Sequence, residues 1–425
     1  MGALGKLNWR GRTARGTMGC MFRRSSLAPS AERTPARSGE AGLDAEALES
    51  LCAELQAEID AGFIPGVVLR VQRHGQPVLT WALGWSDAEA SRAMRPDTLF
   101  RIFSMTKPLA SVAALMLVED GCLRLDDPVQ SCLPAFGHPV VTVHDLLLHT
   151  SGLTYGPRSG DPAVRAAYAR HGIGVIPRAL QGPALVRGLA EVPLVHPPGC
   201  RWEYGSSTDL LGQVVEAVSG ARLGEFLRAR LFEPLGMLET AFSVSASQAE
   251  RVAQPFLRDP LGGDDPRHAD RWFDPTVPAE LDSAGAGAIS TAADYARFAQ
   301  WLLDRRQGSG LPLLRPETVW AMMSDQLAPR GIPVQGPGEN ALQSPGFGFG
   351  YGLAVRLGGA AGESATLPGS PGTCLWSGTA GTFFWVDPLH EVVGVYMSQA
   401  PGARRVADRR RVLSRVHEAL VGASR

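Results

Sequence analysis

One stretch of the sequence, FRIFSMTK at residues 100–107, constrains the fold more than any other. It leads into the apolar run PLASVAALMLVED, which is typical of a buried helix and which Gly121 ends. Because proline is tolerated only in the first turn of a helix, Pro108 puts the residues before it at the helix N-terminus. Ser104 and Lys107 lie three residues apart there, so their side chains share a helix face and can touch.

Lysine is almost absent from this chain, which makes Lys107 informative. Among 41 basic residues the only lysines are Lys6 and Lys107. Arginine keeps its proton in proteins, whereas a desolvated lysine can become a neutral base. The helix dipole also disfavours a positive charge at this end, so we expect a lowered pKa for Lys107. A serine beside a neutral amine is an activated nucleophile; a capping serine with a surface lysine is the alternative interpretation.

Length, charge and composition exclude several classes of protein. The 425 residues allow one large or two medium domains, and 44% hydrophobic with 20% charged residues is ordinary for a globular enzyme. A net charge of −1 gives no electrostatic footprint for nucleic acid, and no apolar run is long enough to span a bilayer. We therefore expect neither a nucleic-acid partner nor a membrane span.

The cysteine and acidic residues predict no cofactor and no metal site. Six cysteines are scattered without a C-x-x-C spacing, which favours buried thiols in a reducing compartment over a disulfide framework or a zinc site. Asp126 and Asp127 precede a proline and are interpreted as a turn. The chain also lacks a P-loop and an H-E-x-x-H motif.

Residues 1–41 differ from the rest of the chain. They are rich in Arg and Ser, carry no acidic residue before Glu32 and contain no apolar h-region of a secretory signal. This composition is like that of a transit peptide, but we interpret the segment as a disordered extension, with Met18 or Met21 as alternative starts. The expected location is cytoplasmic.

Periodicity predicts strands at both ends of the chain and helices between them. The fold class is therefore α/β in its α+β form: an antiparallel sheet flanked by helices. We expect one domain at 42–425, with a sheet subdomain at 42–105 and 284–425 and a mainly helical subdomain at 106–283. The expected strands are 66–72, 77–84, 352–357, 382–387 and 391–398, and the expected helices are 43–61, 108–120, 143–148, 207–218, 224–232, 291–303 and 404–421.

A Ser–Lys pair also needs a proton relay to the leaving group and an oxyanion hole. Of six tyrosines, Tyr204 lies in a tight loop, RWEYGSS, from which it can reach an active site; a half-buried core tyrosine is the alternative. The N–H of Ser104 and a glycine-containing edge strand near 376–381 are candidates for the oxyanion hole. His149 is interpreted as a structural residue at a helix end.

These stretches resemble the serine β-lactamase and penicillin-binding-protein-like hydrolases, most closely class C β-lactamases and the related family VIII carboxylesterases. The likeness implies a β-lactamase/transpeptidase-like fold, with Ser104 as nucleophile, Lys107 as base and Tyr204 as proton relay. It also implies that the N–H groups of Ser104 and Thr379 form the oxyanion hole. The likeness covers roughly residues 45–420, in the order FRIFSMTK, LRLDDPV, VHDLLLHTSGL, RWEYGSSTDLLG, FEPLGM, GAISTAADYARFAQWLL and WSGTAGTFFWVDP.

Two departures from that family's pattern favour a small-molecule ester as the substrate. The third motif is usually Lys-Thr-Gly, whose Lys helps to hold a substrate carboxylate; this chain has Trp376, Ser377 and Gly378. Ser206 stands two residues after Tyr204, where Asn is common. The candidate residues of the substrate pocket are therefore Trp376, Ser377, Gly378 and Ser206. The alternatives are a β-lactamase, a D-amino-acid peptidase or an acyltransferase on the same site, or a non-catalytic ligand-binding relative.

Overall fold

A computed structural model describes residues 32–34, 42–256, 272–332, 346–359, 367–400 and 404–422. The strands are β1 (Glu32–Thr34), β2 (Gly66–Arg73), β3 (Gln76–Asp87), β4 (Arg92–Ala93), β5 (Phe100–Arg101), β6 (Ile289–Ser290), β7 (Phe347–Phe349), β8 (Ala354–Arg356), β9 (Cys374–Ser377), β10 (Phe383–Asp387) and β11 (Val392–Met397). The helices are α1 (Ala45–Asp60), α2 (Thr106–Glu119), α3 (Val129–Cys132), α4 (Val143–Leu148), α5 (Pro162–Arg170), α6 (Gly182–Glu191), α7 (Ser207–Ser219), α8 (Leu223–Leu227), α9 (Glu233–Leu235), α10 (Ala292–Arg306), α11 (Pro316–Met322) and α12 (Arg404–Gly422).

Strands from both ends of the chain build one large antiparallel sheet. Its order is β1-β3-β2-β11-β10-β9-β8-β7, with β4 paired to β3. The hairpin β2–β3 joins the C-terminal hairpin β10–β11 where Leu69 faces Tyr396. The pair β5–β6 lies apart from this sheet. The antiparallel sheet with flanking helices that the sequence predicts is therefore confirmed.

Helices cover both faces of the sheet. Phe384 of β10 packs against Tyr295 of α10, with ring centroids 4.8 Å apart. The next residue, Trp385, lines a small cavity together with Leu413 and Val416 of α12. Because successive residues of a strand point to opposite faces, α10 and α12 lie on opposite sides of the sheet. α1 packs beside α12.

Between residues 106 and 235 the structure has helices joined by loops and no strand, and α2 is the most buried of these helices. All its residues from Thr106 to Leu117 are buried, and it contacts α7 and α8. The predicted helix 224–232 differs: α8 ends at Leu227 and a π-helical turn continues to Phe232. Pro234, just beyond, has no N–H to donate to an α-helical ladder. In the described part of the chain no helix is both long and apolar enough to cross a bilayer.

The N-terminal extension contributes one short strand. β1 pairs antiparallel with β3, with Glu32 opposite Ala82. The structure differs here from the expected disorder of residues 1–41, because the edge of β3 offers backbone groups that a passing segment can pair with. The rest of that segment lies outside the described residues.

Candidate active site

Ser104 lies in a short 3₁₀ turn, Phe103–Met105, between β5 and α2. It is partly exposed, whereas its neighbours in the turn are buried. Phe103 has a φ of 46°, in the left-handed region that bulky residues rarely adopt. The hydroxyl of Thr106 secures it by donating to the Phe103 carbonyl at 2.6 Å and accepting the N–H of Ala288 at 3.1 Å. Backbone strain that is held in this way clusters at active sites, which supports the choice of Ser104.

Lys107 follows in the first turn of α2 and is fully buried. Its ammonium donates to the hydroxyl of Tyr155 at 2.9 Å and to the carbonyl of Gly285 at 2.7 Å. It also lies 4.9 Å from the centre of the Tyr204 ring. Neither hydrogen bond goes to Ser104. Ser104 lies in the 3₁₀ turn and Lys107 in the first turn of α2, and their side chains are not hydrogen-bonded to each other.

The surroundings of Lys107 contradict the lowered pKa that the sequence predicts. Burial acts against the charge, but Tyr155, Tyr204 and Asp209 favour the ammonium, and together they raise the pKa of Lys107 above its ordinary value. The lowered pKa was predicted from the backbone dipole of α2 alone, whereas these three partners come from distant parts of the chain. Lys107 is therefore an ammonium in the resting site.

Asp209 is the buried anion of this site, and sequence reasoning missed it. Its Oδ1 accepts the hydroxyl of Ser283 at 2.7 Å and the N–H of Gly285 at 3.1 Å. A Cβ at Gly285 would lie 2.5 Å from Oδ2, so only glycine fits there. Burial raises the pKa of Asp209, while Lys107 and the two hydrogen bonds act to lower it. Because the Gly285 carbonyl accepts from Lys107, Asp209 positions that acceptor as well as supplying charge.

Tyr204 lies in the loop before α7, inside an aromatic cluster. Its ring stacks on Trp202, with 7° between the planes and 5.8 Å between the centroids. Tyr155 and Trp376 each pack edge-on against it at 5.4 Å. The Tyr204 hydroxyl is shielded from solvent and has no hydrogen-bond partner among the described residues. A buried hydroxyl without a partner requires an explanation, and the Lys107 ammonium lies 4.9 Å from the centre of this ring.

Tyr155 is the second site residue that the sequence did not single out. It lies in the loop after α4, and its hydroxyl accepts the hydrogen bond from Lys107. Burial raises the pKa of the Tyr155 phenol; Lys107 opposes this effect but does not overcome it. Tyr155 is thus a neutral phenol. Its one signal in the sequence is that a glycine follows it, as Gly205 follows Tyr204.

Two contacts join the Tyr155 loop to the Tyr204 loop. A Cβ on Gly205 would lie 2.5 Å from the Cα of Thr154, so the two backbones touch. The hydroxyl of Ser206 donates to the carbonyl of Thr154 at 3.3 Å and is buried. Ser206, which we expected in the substrate pocket, ties the two tyrosine loops together through this hydrogen bond.

The third motif lies against the turn Phe103–Met105, which holds the predicted nucleophile Ser104 and is called the nucleophile turn below. Trp376 and Ser377 end β9, and a Cβ on the next residue, Gly378, would clash with the carbonyl of Ile102 and the hydroxyl of Thr382. That hydroxyl donates to the Ile102 carbonyl at 3.2 Å. This close approach sets the turn after β9 against Ile102, two residues before Ser104. The family resemblance implies that the N–H of Thr379, in this turn, is the second oxyanion donor.

β9 is not the edge strand that we expected, since β8 and β7 lie beyond it. β8 pairs only with Cys374 and Leu375, so the end of β9 that faces the site has no strand on that side in the described chain. From α12, Arg409 donates to the carbonyls of Gly378 and Thr382 and holds the turn in place.

His149 is structural, as the sequence indicates. It ends α4 in a left-handed conformation, with φ at 56°, and is buried. Its Nε2 lies 3.3 Å from the hydroxyl of Thr208. Burial, assisted by Lys107, holds the pKa of His149 well below its ordinary value, so the ring is neutral, and its hydrogen-bond contact is with Thr208 rather than Ser104.

Several known proteins are similar to this chain over most of its length. The esterase EstB of Burkholderia gladioli is 36% identical over 378 residues, which are 82% of this chain and 91% of EstB. Protein Rv1367c of Mycobacterium tuberculosis is 35% identical over 369 residues, 82% of this chain and 88% of that protein. The structure of EstCE1, "a hydrolase with promiscuous acyltransferase activity", superposes with a TM-score of 0.72 at 26% identity and covers 88% of this chain and 98% of EstCE1.

A known protein family also matches most of the sequence. The model described as Beta-lactamase matches residues 51–417. The resemblance to β-lactamase-related esterases is therefore confirmed, and so is the β-lactamase/penicillin-binding-protein fold. The chain belongs to the Beta-lactamase family and is a serine hydrolase.

Proposed function

We propose that this protein is a carboxylesterase that cleaves small-molecule esters through an acyl-enzyme on Ser104. The observation that carries the proposal is the position of Trp376, which packs edge-on against Tyr204 beside the nucleophile turn. An indole at this point gives an apolar wall that suits the acyl or alkyl part of an ester. A lysine there would instead attract the carboxylate of a β-lactam. The similarity to EstB supports the same choice.

The proposed mechanism uses Tyr204 as the proton carrier and Lys107 as a fixed positive charge. The cycle starts with the Tyr204 proton already released to solvent: Ser104 Oγ attacks the ester carbonyl carbon, and its proton passes to the Tyr204 oxygen. The ammonium of Lys107, 4.9 Å from the centre of that ring, stabilises the phenolate that accepts the proton. Tyr204 then protonates the leaving alkoxide as the C–O bond breaks, and the acyl group stays on Ser104.

The second half-reaction repeats these steps with water. Water attacks the acyl carbon and gives a proton to Tyr204, which returns it to Ser104 as the carboxylic acid leaves. In both halves the N–H groups of Ser104 and Thr379 would stabilise the oxyanion. This scheme differs from the base role that the family resemblance implies for Lys107, because the raised pKa of Lys107 keeps it protonated.

Acyl transfer to an alcohol is the second candidate, and the promiscuous acyltransferase activity of EstCE1 favours it. It shares the acyl-enzyme and differs only in the acceptor. Adding an alcohol to an ester assay separates the two: transfer gives a new ester, whereas hydrolysis gives only the acid.

The test compares p-nitrophenyl butyrate with nitrocefin, using wild type, Ser104→Ala and the surface control Ser131→Ala. We expect ester turnover well above nitrocefin turnover in wild type and the control, and none in Ser104→Ala. Faster nitrocefin turnover would reassign the protein as a β-lactamase. No turnover of either substrate, together with no labelling of Ser104 by a phosphonate, would leave a non-catalytic binder.

A further inference from the structure

A second cluster of reactive side chains lies where the β10–β11 turn meets α12. Asp387 ends β10, His390 lies in the turn and His417 lies on α12. One nitrogen or oxygen of each lies within 4.8 Å of the others, and no other trio of potential metal ligands meets in this way within the described ranges. The three residues come from two separate segments, the β10–β11 turn and α12, so no short sequence motif contains all of them.

The cluster is held in place before any ligand arrives. Oδ1 of Asp387 accepts the N–H groups of Leu389 at 3.0 Å and His390 at 3.2 Å. Its Oδ2 lies 3.0 Å from Nδ1 of His390 and accepts the hydroxyl of Ser370 at 2.9 Å. A hydrolytic triad is excluded, because Ser370 and Asp387 both contact Nδ1 of the ring and leave no path through the imidazole.

A cavity of about 10 Å³ adjoins the cluster and is lined in part by Asp387, His417 and Thr373. That volume holds about one water-sized particle. The hydroxyl of Thr373 is buried and has no hydrogen-bond partner in the described chain. A buried polar group without a partner that lines the same cavity as the His417 imidazole and the Asp387 carboxylate is a feature that a bound ion with its ligand water would explain.

We propose that Asp387, His390 and His417 form a structural site for a divalent transition metal of the zinc type. Two imidazoles and one carboxylate match the ligands that Zn²⁺ takes, whereas Ca²⁺ and Mg²⁺ prefer oxygen ligands alone. The ion would tie α12 to the sheet. The site is not part of the reaction: Asp387 lies four residues along β10 from Phe383, at the far end of the strand from the third-motif turn, about 13 Å at 3.3 Å per residue.

The test is zinc binding by the full, tag-free chain after EDTA treatment and dialysis, followed by calorimetric titration with ZnCl₂. Wild type should bind one Zn²⁺ per chain, and its thermal unfolding temperature should rise with zinc. His417→Gln and His390→Gln should each weaken binding at least about 100-fold, more than the loss of an outer-shell partner costs. The control His196→Gln, at a histidine outside the cluster, should bind as wild type does.

Two results would overturn the proposal. One is the absence of stoichiometric zinc binding by wild type; the other is equal binding by His417→Gln and His196→Gln, which would show adventitious surface binding only. Ester hydrolysis by each variant reports that it has folded. Zinc removal should leave that activity in place, so failure of the metal site and failure of the esterase proposal remain distinguishable.

Discussion

At the scale of single residues, the site is organised by one buried ammonium. Lys107 is held by Tyr155, by the Gly285 carbonyl and, through Gly285, by Asp209. Its charge is favoured by groups on the loop after α4 and on α7, and this sets the proposed division of labour: Lys107 supplies the charge and Tyr204 moves the proton.

The two tyrosines should respond differently to loss of the hydroxyl. Tyr204→Phe should lower kcat by about 10³-fold, because it removes the proposed proton carrier. Tyr155→Phe should cost about tenfold, because Lys107 loses one of two hydrogen bonds but keeps its charge. The measurement is steady-state hydrolysis of p-nitrophenyl butyrate, with the buried Tyr396→Phe as control. A larger loss for Tyr155→Phe than for Tyr204→Phe would transfer the proton-carrying role to Tyr155.

Lys107→Arg should be nearly as damaging as Ser104→Ala, with kcat lowered by about 10³-fold. Arginine keeps the charge, but its larger planar head cannot reproduce two hydrogen bonds in a fully buried space that fits an ammonium. Active-site titration with a phosphonate separates lost reactivity from lost protein. Retention of most activity would show that position 107 needs only a positive charge.

Asp209→Asn should move the alkaline limb of the kcat/KM profile to lower pH. The carboxylate helps to raise the pKa of Lys107, so removing its charge lowers that pKa and the ammonium is lost at a lower pH. The acidic limb should move less. Asp294→Asn, at a buried aspartate of α10, is the control and should leave the profile in place. An unmoved alkaline limb in Asp209→Asn would reduce Asp209 to a packing role.

At the scale of elements, the sequence predicts the helices and strands whose bounds are set by apolar periodicity and by capping residues. The hairpin β2–β3 and helices α1 and α12 lie within three residues of their predicted bounds. Thr291 caps α10 by accepting the N–H of Asp294 at 3.1 Å, and α10 begins one residue after the predicted start. The turn at Phe103 could not be predicted, because its left-handed backbone depends on a contact between Thr106 and Ala288, 182 residues apart. Tyr155 was missed for a similar reason: only the packing of two loops brings it to Lys107.

Gly378→Ala should displace the third-motif turn from the nucleophile turn, because the new methyl group meets the Ile102 carbonyl and the Thr382 hydroxyl. We expect kcat/KM to fall by at least about 100-fold, the size of effect that loss of an oxyanion donor produces. The matched control is Gly160→Ala, where a Cβ meets nothing within 4 Å. Wild-type activity in Gly378→Ala would contradict the close approach of the two turns.

At the scale of the whole molecule, the two ends of the chain form one sheet and the helical segment between them completes the site. Ser104 follows the N-terminal strands, Tyr204 lies in the helical segment, and Thr379 lies between two C-terminal strands. α12 covers one sheet face and, through Arg409, also holds the third-motif turn. The last helix is thus part of both the core and the site.

A chain that ends at residue 400 should fail to fold. It loses α12, whose Val412, Leu413, Val416 and Leu420 are buried. Burying a side chain of this kind contributes about 1.5–3 kcal/mol, so four of them rival the total stability of about 5–15 kcal/mol typical of native proteins. Circular dichroism and the yield of soluble protein measure the outcome, with a chain that ends at residue 422 as control. A folded, active truncation would contradict this role of α12.

The central claim, an acyl-enzyme on Ser104 formed from an ester, is tested most directly by rapid-quench mass spectrometry. The protein is mixed with excess p-nitrophenyl butyrate, quenched in acid and digested, and the peptide that carries the acyl group is identified. We expect a burst of up to one p-nitrophenol per chain and a butyryl group on Ser104. The Ser104→Ala variant should show neither the burst nor the butyryl group. Turnover with no adduct on Ser104, or with the adduct on another residue, would contradict it.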